Sequence, residues 1–142
     1  MILLDTNVLS ELMRTHPSPN VLRWLDAQAD TDLHNSVISK AEIELGVSLL
    51  ANGKRRLGLS AAADALLAEF RERCVALPCA ATPFYARVAE ASRSLGRPMS
   101  IEDMQIAAIA MHHAAALATR NVKDFDFLAD LKLRNPWDAA DG

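Results

Sequence analysis

The chain has little cysteine, no long apolar run and no strong excess of either charge, and each lack closes off a class of function. Only two cysteines, Cys74 and Cys79, occur in 142 residues. The stretch Cys-Val-Ala-Leu-Pro-Cys lacks the two-residue gap of redox motifs and zinc knuckles, so buried free thiols are expected. No segment approaches the ~18 uninterrupted apolar residues of a membrane-spanning helix. Met1-Ile2-Leu3-Leu4 meets Asp5 too soon to form the apolar region of a signal peptide. The expectation is a cytoplasmic protein with no membrane contact. A net charge of −3 gives no global pull toward nucleic acid. An enzyme that meets RNA or DNA through a metal ion and a local basic rim stays open.

What is present suits a folded domain. With 51% hydrophobic and 23% charged residues, the composition excludes a disordered chain. The length predicts a single domain over 1–142, with a core that needs no disulfides. No repeat, linker or low-complexity tract interrupts it.

Short strand-like runs alternate with longer helical stripes. Ile2-Leu3-Leu4, Leu33 to Val37, Val75-Ala76-Leu77, Ala116 to Thr119 and Leu131 to Leu133 read as strands. Helical spacing of apolar residues covers Thr6 to Arg14, the segment around Val21 to Leu25, Ile38 to Leu50 and Ser60 to about Arg73. Two more helices follow, Thr82 to Ser94, closed by Gly96, and Ser100 through Ala115, with a short one around Phe125 to Asp130. Lys54-Arg55-Arg56 reads as a basic tip. No Asn-Gly hairpin joins two strands, so the fold class is α/β, a mostly parallel sheet flanked by helices.

The chemical signal lies in acids placed on apolar faces. Glu42 shares a helix side with Ile38, Leu45 and Leu49. Asp103 heads a stripe of Ile106, Ala107, Ala110 and Ala114, with Glu102 as its rival. An ionised carboxylate on a core-facing stripe needs a cation, a hydrogen-bond network or a raised pKa. Asp5 stands at the carboxyl end of the first strand, where parallel sheets bind ligands. Asp124 follows a later strand. Four oxygen donors without histidine or cysteine suit Mg²⁺ or Mn²⁺ better than zinc.

Plainer readings exist for each acid. Asp5 equally fits an N-cap, Asp124 or Asp126 fits a cap of the helix after it, Glu42 fits an ion pair with a buried arginine, and Asp103 fits a helix first turn. The joint placement favours one metal site over four separate coincidences. His112-His113 cannot share a helix face, and His34 has no spaced partner. Trp24 and Trp137 read as core or rim packing.

Met1 to Ser10 with Asp5, Thr6 and Asn7, Ser36 to Gly46 with Ser39 and Glu42, Asp103 to Ala108, and Ala118 to Phe125 resemble the successive motifs of PIN-domain ribonucleases. The likeness is to the VapC and FitB-like toxins of bacterial type II toxin–antitoxin pairs. It spans nearly the whole chain, and Asn135-Pro136-Trp137 is similar to the FitB-like branch. The resemblance implies a PIN-like fold with an acidic pocket at the carboxyl edge of its sheet. There Asp5, Glu42, Asp103 and Asp124 would hold Mg²⁺ or Mn²⁺ and carry catalysis, Asp5 and Asp103 most directly. Thr6, Asn7, Thr119 and Asn121 would support the pocket, and Arg120, Lys123 and the 54–56 tip would help position the RNA backbone. It also implies a homodimer, a cognate antitoxin partner, and contact with DNA only through that antitoxin. The products of such a hydrolysis are a 5′-phosphate and a 3′-hydroxyl.

Two other functions compete with a metal-dependent endoribonuclease. One is a non-catalytic PIN-like module that binds RNA or protein, which has no reason to keep buried acids. The other is an aspartyl-nucleophile phosphatase. That chemistry usually wants a second aspartate where this chain has Asn7.

Overall fold

Among the described residues five short strands carry the molecule, and the two central ones are covered on both faces, as parallel sheets require. The computed structural model describes residues 1–138. Strand β1 is Ile2–Leu4, β2 Leu33–Ser36, β3 Cys74–Val75, β4 Ala116–Ala118 and β5 Leu133–Arg134. All pairings are parallel and the order is β3-β2-β1-β4-β5. Successive residues of a strand point to opposite faces, and the two central strands show it directly. Leu4 and Ala118 pack with Val8, Leu9, Val21, Leu25, Ile43 and Leu66. Leu3 and Leu117 pack with Val88, Ile106, Ile109, Phe125 and Leu128 on the other side. Both leucines of β1 are fully buried.

Helices α1 (Thr6–Leu12), α2 (Pro19–Asp26), α3 (Val37–Ser48) and α4 (Lys54–Glu69) supply the first apolar layer, and α5 (Thr82–Ser94) and α6 (Ile101–His112) most of the second. The chain runs outward from β1 to β2 and β3, then returns to β4 on the other side of β1. The connections after β1 and β4 therefore diverge and leave a crevice at their carboxyl ends, where α/β sheets bind ligands. Backbone bonds hold its floor: Asp5 N donates to Ala118 O at 2.9 Å and Thr119 N to Arg134 O at 2.9 Å.

Several local expectations change. Helix α4 starts at Lys54, so Lys54-Arg55-Arg56 is its first turn and no tip, and Arg56 donates back to Asn52 Oδ1 at 2.8 Å. In place of the short helix around Phe125 to Asp130, a single 3₁₀ turn covers Val122–Asp124. The third and fifth strands are only two residues long. Helix α6 stops at His112, and Ala114, expected on the buried stripe, is exposed with φ of 51°. Its turn is a Schellman closure, Ala115 N donating to Ala110 O and Ala114 N to Met111 O. Gly96 makes the same closure after α5 with φ of 62°. The thiols also differ from expectation: Cys74 is half-buried and Cys79 exposed, because Pro78 and the 3₁₀ turn that follows it lift the second cysteine off the sheet edge.

Candidate active site

Asp5 reaches the crevice because β1 ends on it and α1 begins just after it. One oxygen does what the cap reading expects: Oδ1 accepts from Thr6 N at 2.8 Å. The other faces across the switch point, where Oδ2 accepts from Thr119 Oγ1 at 2.8 Å and from Asn7 Nδ2 at 3.2 Å. Thr119 is fully buried and its hydroxyl also accepts from Asn7 Nδ2 and from Asn121 N, at 3.2 and 3.1 Å. Asn7 Oδ1 accepts from Arg120 N at 3.2 Å. The four polar residues expected to support the pocket thus divide: Asn7, Thr119 and Asn121 knit β1 to the loop after β4, while Thr6 turns toward α3.

Helix α3 brings Glu42 to the opposite wall. Thr6 Oγ1 lies 2.9 Å from Glu42 Oε1 and 2.8 Å from Ser39 Oγ, bonding distance to both. The sequence argument for Glu42 needs correction, however. Its stripe is not a core face, since Leu45 is 57% and Leu49 75% exposed. The buried line of α3 is Ser39 and Ile43, with Val47 packing behind them. Glu42 stands on the flank of that line, next to Ile43, and so projects into the crevice rather than into the core. Helix α6 supplies the third acid. Ser100 caps it, its hydroxyl accepting from Asp103 N at 3.1 Å, which places Asp103 in the first turn.

A cleft of about 500 Å³ is lined by Asp5, Thr6, Asn7, Glu42, Asp103, Arg120 and Asn121, joined by Ser10, Glu11, Arg14 and Trp137. The carboxylates feel one another. Asp103 is pushed up to about 6, first by desolvation and then by the fields of Asp5, Asp124 and Glu42. Burial raises Asp5 despite the bonds from Thr119, Thr6 and Asn7, and Asp124 adds to the rise. Glu42 is raised by desolvation, then by Asp5 and Glu102 after the opposing bond from Thr6. Such a group gains most from a cation. Among the described residues, no three acids, histidines or cysteines stand close enough together to hold a metal ion between them.

The 3₁₀ turn holds Asp124 and Lys123 outside the lining of the cleft, although the Asp124 charge is felt at Asp5 and Asp103. Asp126, the rival to Asp124, pairs with Arg97 at 2.8 Å. The Lys123 carbonyl accepts from the same arginine.

The family model for the PIN domain matches residues 2–130. The chain belongs to the PIN-domain family. It is similar to Plasmid stability protein StbB of Pseudomonas syringae pv. tomato, at 40% identity over 98% of this chain and 100% of that one. It is similar to Toxin FitB of Neisseria gonorrhoeae, at 38% identity over 96% of this chain and 99% of that one. VapC ribonuclease Y4jK of Sinorhizobium fredii is 35% identical over 99% of this chain and 100% of that one. Among solved structures, a chain of FitAB bound to an IR36 DNA fragment superposes with a TM-score of 0.89 at 36% identity, covering 99% of both chains. The expected PIN-like fold is therefore the observed one.

This PIN domain has cleft residues that sequence reasoning missed. Glu11 is only 6% exposed, ion-paired to Arg14 at 3.2 Å and accepting from Ser18 N at 2.9 Å. It ties the end of α1 to the start of α2 along the cleft wall. Trp137, expected as packing, does pack on the core but also lines the cleft. Glu11 carried a local signal, since it stands four residues after Asn7 on α1 and so shares its helix face, whereas Trp137 reaches the cleft only through a chain segment distant from the acids. No described helix is long and apolar enough to cross a membrane.

Proposed function

We propose that this PIN-domain protein is the toxin of a toxin–antitoxin pair, a cytoplasmic endoribonuclease dependent on Mg²⁺ or Mn²⁺. The carrying observation is the convergence of Asp5, Glu42 and Asp103 on one cleft at the switch point of the sheet, each with its proton held more tightly than usual. The names of its relatives, a toxin and a ribonuclease, support the same reading. Asp5 and Asp103 would hold the ion most directly, with Glu42 and Asp124 completing the acidic set. When bound, a divalent ion neutralises these acids and stabilises the charge that develops on the phosphate.

The chain's own residues do the rest. The bonds from Thr119, Asn7 and the Thr6 amide fix the Asp5 carboxylate before any ligand arrives, which avoids reorganisation during reaction. With Thr6 on Glu42 Oε1, the other carboxylate oxygen of Glu42 is the acceptor for a proton from the attacking water, and its raised proton affinity favours that role. In-line attack at phosphorus then leaves a 5′-phosphate and a 3′-hydroxyl. A cognate antitoxin would silence the protein by packing across the acidic groove, and DNA would be met only through that antitoxin. A homodimer is part of this reading.

The test incubates the antitoxin-free protein with cellular RNA, with Mg²⁺, with Mn²⁺ and with chelator, beside Asp5→Asn and Asp103→Asn. Discrete cuts that need metal and vanish in both variants are expected. Cutting that persists in chelator or in Asp103→Asn would refute the assignment. Folded, metal-supplied protein that cuts nothing would favour the binding module.

A further inference from the structure

We propose that Arg120, seated over the Trp137 ring, forms with it a stacking subsite for one unpaired nucleobase of the substrate; this rests on the ribonuclease reading above. The guanidinium carbon of Arg120 lies 5.0 Å from the centre of the Trp137 ring, within the range of a cation–π contact. Both residues line the cleft that holds Asp5, Glu42 and Asp103. A base seated on the pair would belong to a nucleotide whose backbone passes the acids.

The platform is fixed from below. Trp137 N donates to Asn135 Oδ1 at 3.0 Å, and Asn20 Nδ2 donates to the Trp137 carbonyl at 3.0 Å. The indole packs against the apolar layer that contains Leu4 and Val21. Arg120 is anchored through its amide to Asn7, the residue that also holds Asp5. Above the indole the Arg120 side chain is exposed, and among the described residues no carboxylate pairs with it.

That geometry separates two roles. A phosphate contact draws on charge and on the guanidinium fork, and its strength does not depend on whether a base is present at the nucleotide. A stacking contact instead depends on the base itself, and unpaired RNA bases stack on aromatic rings and on guanidinium planes. In this proposal Arg120 meets a base in addition to the backbone contact expected from sequence, and Trp137 is the positioning residue beneath it.

The experiment measures kcat and KM on a short unpaired RNA that the parent cleaves, intact and with an abasic nucleotide placed at each position in turn. Proteins are the parent, Arg120→Lys, Arg120→Ala and Trp137→Phe, each checked for parental thermal unfolding. Loss of one base is expected to raise the parent's KM by about fivefold to a hundredfold, the range of a stacking contact. Arg120→Lys should raise KM on intact RNA by a similar factor, match Arg120→Ala, and become indifferent to the abasic position. Trp137→Phe, a smaller and weaker support for the guanidinium, should raise KM by less than Arg120→Ala and keep part of the abasic penalty. Arg120→Lys with parental KM, or with the abasic penalty intact, overturns the subsite while leaving the nuclease standing. A parent that cleaves no RNA overturns both.

Discussion

Asp103 should make the metal-free protein less stable as pH rises toward neutrality, and Asp103→Asn should remove that loss. Its pKa is raised from 3.8 to about 6, with desolvation and three neighbouring carboxylates as the causes. Between those two values the folded state holds a proton that the unfolded state has released, so stability falls with rising pH across that window. At about 1.36 kcal/mol per pH unit the gap of 6 − 3.8 = 2.2 corresponds to about 3 kcal/mol as a ceiling. Asp103 is only half-buried, and solvent screening brings the figure to about 1–2 kcal/mol. Urea unfolding in chelator at pH 4 and pH 7 measures it. The parent should lose about that much over the interval, with Asp5 and Glu42, raised in the same direction, adding to it. Asp103→Asn should be more stable than the parent at pH 7 by about 1–2 kcal/mol, roughly 2–8 °C in Tm for a domain of this size, and should lose that advantage near pH 4. Mg²⁺ at about a hundredfold over its Kd should restore about 2.7 kcal/mol to the parent and much less to the variant. An asparagine variant no more stable than the parent at pH 7 would refute the raised proton affinity of Asp103 and with it the cost of an ionised carboxylate at this position.

Two further outcomes follow from the geometry. Thr119→Val removes the hydroxyl bonded to Asp5 Oδ2, which lowers the Asp5 pKa, and should cost about 1–3 kcal/mol of stability. Its pH–rate profile should move to higher pH, because Asp5 then ionises later; an unmoved acid limb would show that this bond does not tune the site. Ala114→Gly relieves a left-handed residue at the end of α6 and should raise stability by about 1 kcal/mol, read as a shift of the urea midpoint at constant slope. A loss of stability would show that the Ala114 methyl has contacts outweighing its backbone strain.

Much of this protein was legible before any coordinates. The alternation of short apolar runs with helical stripes determined a parallel α/β sheet, because only covered strands can be apolar on both faces, as Leu3 and Leu4 are. The strand exit at Asp5, and the Ser100 cap that sets Asp103 in a first turn, were local facts that survived folding unchanged. Periodicity, however, reports only that a face is apolar and not what covers it. Leu45 and Leu49 extend the stripe of Glu42, yet no described element packs over them, so the core line of α3 runs instead through Ser39 and Ile43. The cleft itself belongs to tertiary structure. Thr119 and Asp5 stand far apart in the chain and meet at 2.8 Å only because β1 and β4 are neighbours. Trp137 joined the site the same way, from a distant segment with no local pattern pointing there, while Glu11 came with α1, one turn beyond Asn7. Sequence determined which residues were costly to bury; the crossing of the chain at the switch point decided which of them share one field.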